Sequence, residues 1–157
     1  MTAKHILVPT DFSEYADDAL DYAIALAQKL QARLTLLHAV ETTPLEVAES
    51  ATQRPPSYWQ ELGTGTEQSM EEFLKRLHDV GLQGETLIVH GVPFQAIIDT
   101  AKDKGADLIV MGTHGRTGLT HVLMGSVAER VVRMAPCPVL VTRGKSPSSY
   151  TSTFTIS

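Results

Sequence analysis

At 157 residues, with 43% hydrophobic and 20% charged positions, the chain has the size and make-up of one globular domain, neither disordered nor dependent on disulfides. A domain of this length buries roughly 70% of its unfolded surface. Its formal net charge of −5 at pH 7 argues against general nucleic-acid binding, which draws on excess Lys and Arg, so an anion site here has to be local.

In chain order, short β-branched runs alternate with segments of helical period, the pattern of βαβ units in a mostly parallel sheet. The strands read as Ile6 to Val8, Leu34 to Val40, Thr86 to His90, Leu108 to Met111 and Val139 to Thr142. The first helix places Ala16, Ala19, Leu20, Ala23, Ala27 and Leu30 on one face, with Glu14, Asp17 and Asp18 near its start and Lys29 near its end, as the macrodipole prefers. Glu41 to Thr66, holding Pro44, Pro55, Pro56, Gly63 and Gly65, reads as an irregular surface excursion, its Tyr58-Trp59 pair tucked onto the domain or covering a ligand or partner. The second helix shows Met70, Phe73, Leu74 and Leu77 and stops before Gly81. The third opens at Pro93, buries Ile97, Ile98 and Ala101, and ends at Gly105. The fourth begins at Ser126 with Glu129 three residues on, a capping-box spacing, and stops before Pro136. The domain is expected over residues 1–143, followed by a Ser- and Thr-rich flexible tail over 144–157.

Nothing approaches the ~18 apolar residues that would span a membrane. Met1 to His5 lack a signal-peptide layout, so the expected location is the cytoplasm. Cys137, the single cysteine, cannot form an intramolecular disulfide and reads as a small buried residue.

The chemistry gathers where the fourth strand hands over to the fourth helix. There the spacing is Gly112-x2-Gly115-x9-Gly125-Ser126, with Gly118 between. Glycines let backbone N–H groups approach an anion, and a helix start adds unpaired N–H groups and the positive end of a dipole. A nucleotide phosphate is the ligand this predicts. The loop is neither a Walker A sequence nor a compact dinucleotide fingerprint. His114 and Arg116 are either solvated or in contact with phosphate oxygens, and Ser126 is either a cap or a phosphate ligand. The first strand leads into Asp11, which is either a cap of the first helix, reinforced by Glu14, or a carboxylate reaching a phosphate-bound Mg²⁺ through water. In a doubly wound sheet these two loops meet where strand order reverses. His38 and His90 read as strand residues, and no histidine has a convincing metal spacing.

Together, Ile6-Leu7-Val8-Pro9-Thr10-Asp11-Phe12-Ser13, Gly91-Val92-Pro93, Ala106 to Arg116, Gly125 to Glu129 and Ala135 to Val141 closely resemble the universal stress proteins. The resemblance covers most of residues 4–143, weakly in the excursion. It implies an α/β, doubly wound, five-stranded parallel sheet of order 3-2-1-4-5, similar to the adenine nucleotide alpha hydrolases. It also implies ATP binding, because family members with the complete glycine pattern bind ATP. Carried over by position, Pro9, Thr10 and Asp11 lie beside the nucleotide, with Asp11 toward Mg²⁺ and the phosphates. Val40 offers backbone groups to adenine, Met111 and Gly112 line the adenosine, and Gly115, Gly125, Ser126 and Val127 hold the phosphates. The family dimerises through its last strand, here Val139 to Thr142, an apolar edge that self-pairing would satisfy. Assembly beyond a dimer and the regulated protein partner are left open.

These readings lead to a nucleotide-dependent regulatory dimer acting in the stress response. Two alternatives stand beside it: a slow Mg²⁺-dependent ATPase with Asp11 on the metal and Ser126 or His114 at the γ-phosphate, and a partner-binding module indifferent to nucleotide. Adenylyl transfer loses support because no His-x-Gly-His appears early in the chain.

Overall fold

Strands and helices alternate throughout the computed structural model, which describes residues 3–41, 56–113 and 124–143, with the backbone alone for 56–64. In chain order they are β1 (His5–Thr10), α1 (Glu14–Leu30), β2 (Arg33–Glu41), α2 (Pro56–Asp79), β3 (Gly84–Gly91), α3 (Pro93–Lys104), β4 (Leu108–Gly112), α4 (Ser126–Met134) and β5 (Val139–Thr142). All strand pairs are parallel, and the sheet order is β3-β2-β1-β4-β5, the doubly wound order expected. Among the described residues no helix is long and apolar enough to cross a membrane.

Alternation along each strand divides the core in two. On one face Ile6, Val8, Leu34, Leu36 and Val110 meet Ala19, Ala23 and Ala27 of α1 and Met70, Phe73 and Leu77 of α2. On the other, Leu7, Leu37, Ile109 and Met111 meet Ile97 and Ala101 of α3 and Ala128 and Val131 of α4. The alanine stripe of α1 lets that helix lie close to the sheet.

Three expectations need correction. Residues 56–66 are helical, not part of an irregular excursion, because Pro56 sits at the first helical position, where its missing N–H costs nothing. Gly63 and Gly65 lie inside the same helix, each weakening it by only about 1 kcal/mol. The side chains of Tyr58 and Trp59, like residues 42–55, lie outside what is described. Ser126 is not the N-cap of α4: Gly125 takes that place with extended backbone, and Glu129 pairs with Arg133 at 2.7 Å instead of closing a capping box. Cys137 is half-buried, in contact with the second core cluster, and burial followed by the nearby Asp107 carboxylate raises its thiol above the ordinary value.

The amino end of the sheet is tied by a polar cluster around His5, a buried residue whose Nε2 lies 2.6 Å from Thr35 Oγ1 and whose Nδ1 lies 3.1 Å from the Lys104 carbonyl. Thr35 donates to Glu85 at 3.1 Å, Lys104 pairs with Glu85 at 3.3 Å, and Asp107 accepts from the Lys4 and His5 amides. β1, β2, β3 and α3 are thereby joined through side chains as well as through the ladder. Burial and then the Arg33 guanidinium push His5 below its ordinary value of 6.5, outweighing the Lys104 carbonyl and the Glu85 and Asp107 carboxylates. The unfolded chain therefore takes up a proton that the folded one refuses, and stability falls as the pH drops from 6.5 through the lowered folded value. Melting temperatures recorded against pH should show this acid loss in the wild type and lack it in His5→Gln.

Candidate nucleotide site

At the opposite, carboxyl end of the sheet, β1 stands between β2 and β4, and the chain leaves β1 in one direction and returns to its other side through β4. This is the point where strand order reverses, the place where α/β sheets open a crevice. The ladder between β1 and β4 is carried by Ile6 with Leu108 and Leu7 with Ile109. Pro9, which has no N–H to give, lies past it.

The turn after β1 is built by side chains accepting from backbone amides. Thr10 Oγ1 accepts from Phe12 N–H at 3.0 Å, Asp11 Oδ1 from Ser13 N–H at 2.9 Å, and Ser13 Oγ from Ala16 N–H at 3.2 Å. Ser13 is thus the N-cap of α1, and the expectation that Asp11 caps the helix is corrected: its carboxylate closes the turn one step earlier. Phe12 takes φ 60°, a left-handed conformation that costs a bulky residue about 1–2 kcal/mol. Two contacts offset it: the hydrogen bond that Phe12 N–H donates to Thr10 Oγ1, and the His38 ring, whose centroid lies 4.8 Å from that of Phe12.

The end of β4 touches this turn directly. A Cβ on Gly112 would stand 2.9 Å from the Tyr15 carbonyl oxygen and 3.1 Å from its carbon, so only glycine lets β4 end against the first turn of α1. This packing reason for Gly112 is independent of any ligand. Thr113 follows, buried, and acts as a clasp: its N–H donates to the Thr142 carbonyl at 2.9 Å, and its own carbonyl accepts from Gly125 N–H at 2.6 Å. The glycine-rich connection therefore departs and returns at the same residue. His114, Gly115 and Arg116 fall within it, outside the described residues.

Where it returns, Gly125 starts α4 with no side-chain cap, Ser126 is exposed at the first helical position, and Val127 packs partly into the core. Among the described residues, no side chain caps the early N–H groups of α4. Thr142 Oγ1, at the end of neighbouring β5, is buried without a hydrogen-bond partner among the described residues. Met111 is buried against α3 and α4, and Val40 is half-buried at the end of β2. The fold thus gathers Pro9, Thr10, Asp11, Val40, Gly112, Gly125 and Ser126 at strand ends and the helix start at the carboxyl end of the sheet.

Among the described residues no three His, Cys, Asp or Glu side chains come together as a metal cage. Mg²⁺ does not require one, since it keeps several waters and takes one or two carboxylates plus substrate phosphates. Asp11, whose Oδ1 accepts from Ser13 N–H in the turn after β1, is a carboxylate that could serve in that way. Asp17, in the first turn of α1, is raised above its ordinary value by burial, then by Asp21 and Asp18, against the opposing Arg76 guanidinium.

Residues 2–143 match the model of the universal stress protein family. The chain belongs to the universal stress protein family. Universal stress protein MJ0531 of Methanocaldococcus jannaschii is 37% identical over 142 residues, spanning 89% of this chain and 82% of that one. Universal stress protein MJ0577 of the same organism is 33% identical over 156 residues. Its solved structure superimposes with a TM-score of 0.80 at 35% identity, covering 93% of this chain and 99% of that one. A universal stress protein solved in complex with cAMP shares the fold at 24% identity and a TM-score of 0.64, covering 92% of this chain and all of that one.

Reading the sequence as a universal stress protein picks out the strand ends and the glycines, but it misses Thr113, His38 and Phe12. Thr113 sits inside the motif without being part of its spacing. His38 lies directly across from Thr10 in the β1–β2 register, so counting residues along β2 back from the strand end would have found it.

Proposed function

We propose that this universal stress protein binds ATP with Mg²⁺ in the crevice between the β1 turn and the glycine-rich connection, and that nucleotide selects the form of a cytoplasmic homodimer that a protein partner reads. The observation that carries this is the Thr113 clasp: it brings the uncapped start of α4 back beside β4, whose end packs on the first turn of α1 after Asp11. The intact Gly112-x2-Gly115-x9-Gly125-Ser126 spacing adds to it. A protein of this fold holds cAMP, and at 24% identity that neighbour speaks for the fold alone; the reading rests on this chain's own residues.

In this reading Gly115, Gly125, Ser126 and Val127 face the phosphates, with His114 and Arg116 as candidate cations beside them. Val40, Met111 and Gly112 border the adenosine, Pro9 and Thr10 flank it, and Asp11 faces the metal. Native mass spectrometry of the purified protein tests ligand and assembly together: an adenine nucleotide carried on a dimer supports the proposal, and a nucleotide-free monomer that takes up no added ATP ends it. ADP release above that of a Gly125→Val control would move the protein into the class of slow ATPases.

Asp11→Asn provides a sharper test, because the amide oxygen still accepts from Ser13 N–H while the charge is gone. Ligand-free melting should hardly change, and Mg²⁺-dependent ATP affinity should fall about tenfold, or 1.4 kcal/mol. A drop in ligand-free stability with unchanged affinity would make Asp11 a turn residue only.

A further inference from the structure

The turn that carries Asp11 is steered from a different strand. Thr10 and Phe12 flank Asp11 in sequence, and the same side chain holds both: His38 Nδ1 lies 2.9 Å from the Thr10 carbonyl oxygen, and the His38 ring packs on Phe12 with an interplanar angle of 49°. A carbonyl oxygen can only accept, so Nδ1 carries the proton and the tautomer is fixed by this contact. Phe12 between these holds is in the left-handed region, where a side chain of its size does not settle unaided. Thr10 and His38 are direct partners in the β1–β2 register, so the clamp is set by the sheet itself.

We propose that His38 is a positioning residue for the metal end of the nucleotide site: by pinning the Thr10 carbonyl and the Phe12 ring from β2, it holds the Asp11 carboxylate toward the bound phosphates and Mg²⁺. This rests on the nucleotide reading above for its ligand, although the clamp itself does not. His38 touches neither ligand nor metal; its effect passes through the turn. The two holds are separable by substitution. His38→Asn keeps an N–H donor where Nδ1–H stood and loses the ring, His38→Phe keeps a ring and loses the donor, and His38→Ala loses both.

The test has two arms on the full chain. In the ligand-free protein, the NMR shifts of residues 10–13 and the amide–Hα coupling of Phe12 report the turn; His38→Ala should move Phe12 out of the left-handed region that the wild type occupies. By calorimetry, His38→Ala should lose about tenfold or more in affinity for ATP with Mg²⁺ and less than about threefold without it, with His38→Asn recovering most of the difference. An unchanged Phe12 signature in His38→Ala overturns the proposal, as does an equal loss with and without Mg²⁺, which is what mere loosening of the fold would give. Should the wild type bind no ATP while the turn still shifts in His38→Ala, the nucleotide reading fails and the clamp stands. If His38→Ala does not fold, His38→Phe takes its place in both arms.

Discussion

Valine in place of Gly125 is expected to leave a folded protein that binds ATP at least about 100-fold more weakly, a loss of roughly 2.7 kcal/mol. Gly125 has φ −66° and ψ 161°, a conformation valine adopts without strain, and its N–H can still reach the Thr113 carbonyl. The cost to folding is that of a poorer N-cap, about 1 kcal/mol. The cost to binding is larger, because the branched side chain stands before the uncapped amides of α4. Gly112→Val is the contrasting case. There the new Cβ meets the Tyr15 backbone at 2.9 Å, neither side can yield without moving β4 or α1, and about 3 kcal/mol of stability should go before any ligand is added. Calorimetry beside thermal melting separates the two outcomes, and unchanged ATP affinity in well-folded Gly125→Val would remove the phosphate from this helix start.

Breaking the β5 edge should have the second large effect. β5 ends the sheet, its four residues are half-buried, and it carries no charge to discourage pairing. α4, packed beside it, leaves Val132 46% and Met134 52% exposed. Leu140→Pro removes a backbone donor that faces β4, as the carbonyls of Pro138 and Thr142 on either side do, and so unseats the strand, while Val141→Lys puts a charge where Val141 packs against the second core cluster, at a cost of several kcal/mol. Both are expected to shift the proposed dimer to monomer, or to insoluble protein, with nucleotide affinity reduced only indirectly. Light scattering at micromolar concentration checks this. A wild type that is monomeric with and without ATP would refute the dimer and leave the nucleotide site untouched.

Fold class was legible because it rests on composition along short segments: the apolar runs of β1, β2 and β4 and the alanine face of α1 announce what they bury, whereas the strand order came only with the family resemblance. The start of α2 was not, since the prolines and glycines between residues 55 and 65 have the local preferences of a loop, and the helix there survives on context that a single sequence does not display. The capping errors have one cause. Asp11, Ser13, Gly125 and Ser126 are all good residues for a helix start, and only backbone dihedrals decide which of two neighbours takes the cap. Of the site, the glycine spacing and Asp11 could be read as candidates, whereas the joining of Thr10 to His38, of Gly112 to Tyr15 and of Thr113 to Gly125 depends on register and packing between elements far apart in the chain.

Because Thr113 meets both Thr142 and Gly125, the chain between Thr113 and Gly125 is a ring whose ends are joined, among the described residues, by the Gly125 N–H to Thr113 carbonyl bond at its neck. Such a ring can change length without asking the sheet to move. Each doubling of its contour adds only about 0.6 kcal/mol of closure entropy, provided the neck stays shut. The sheet therefore leaves the length of this stretch to be set by what it binds, while β4, β5 and α4 keep their places. The sheet's constraint falls on the two residues at the neck, and the ring they close answers to its ligand.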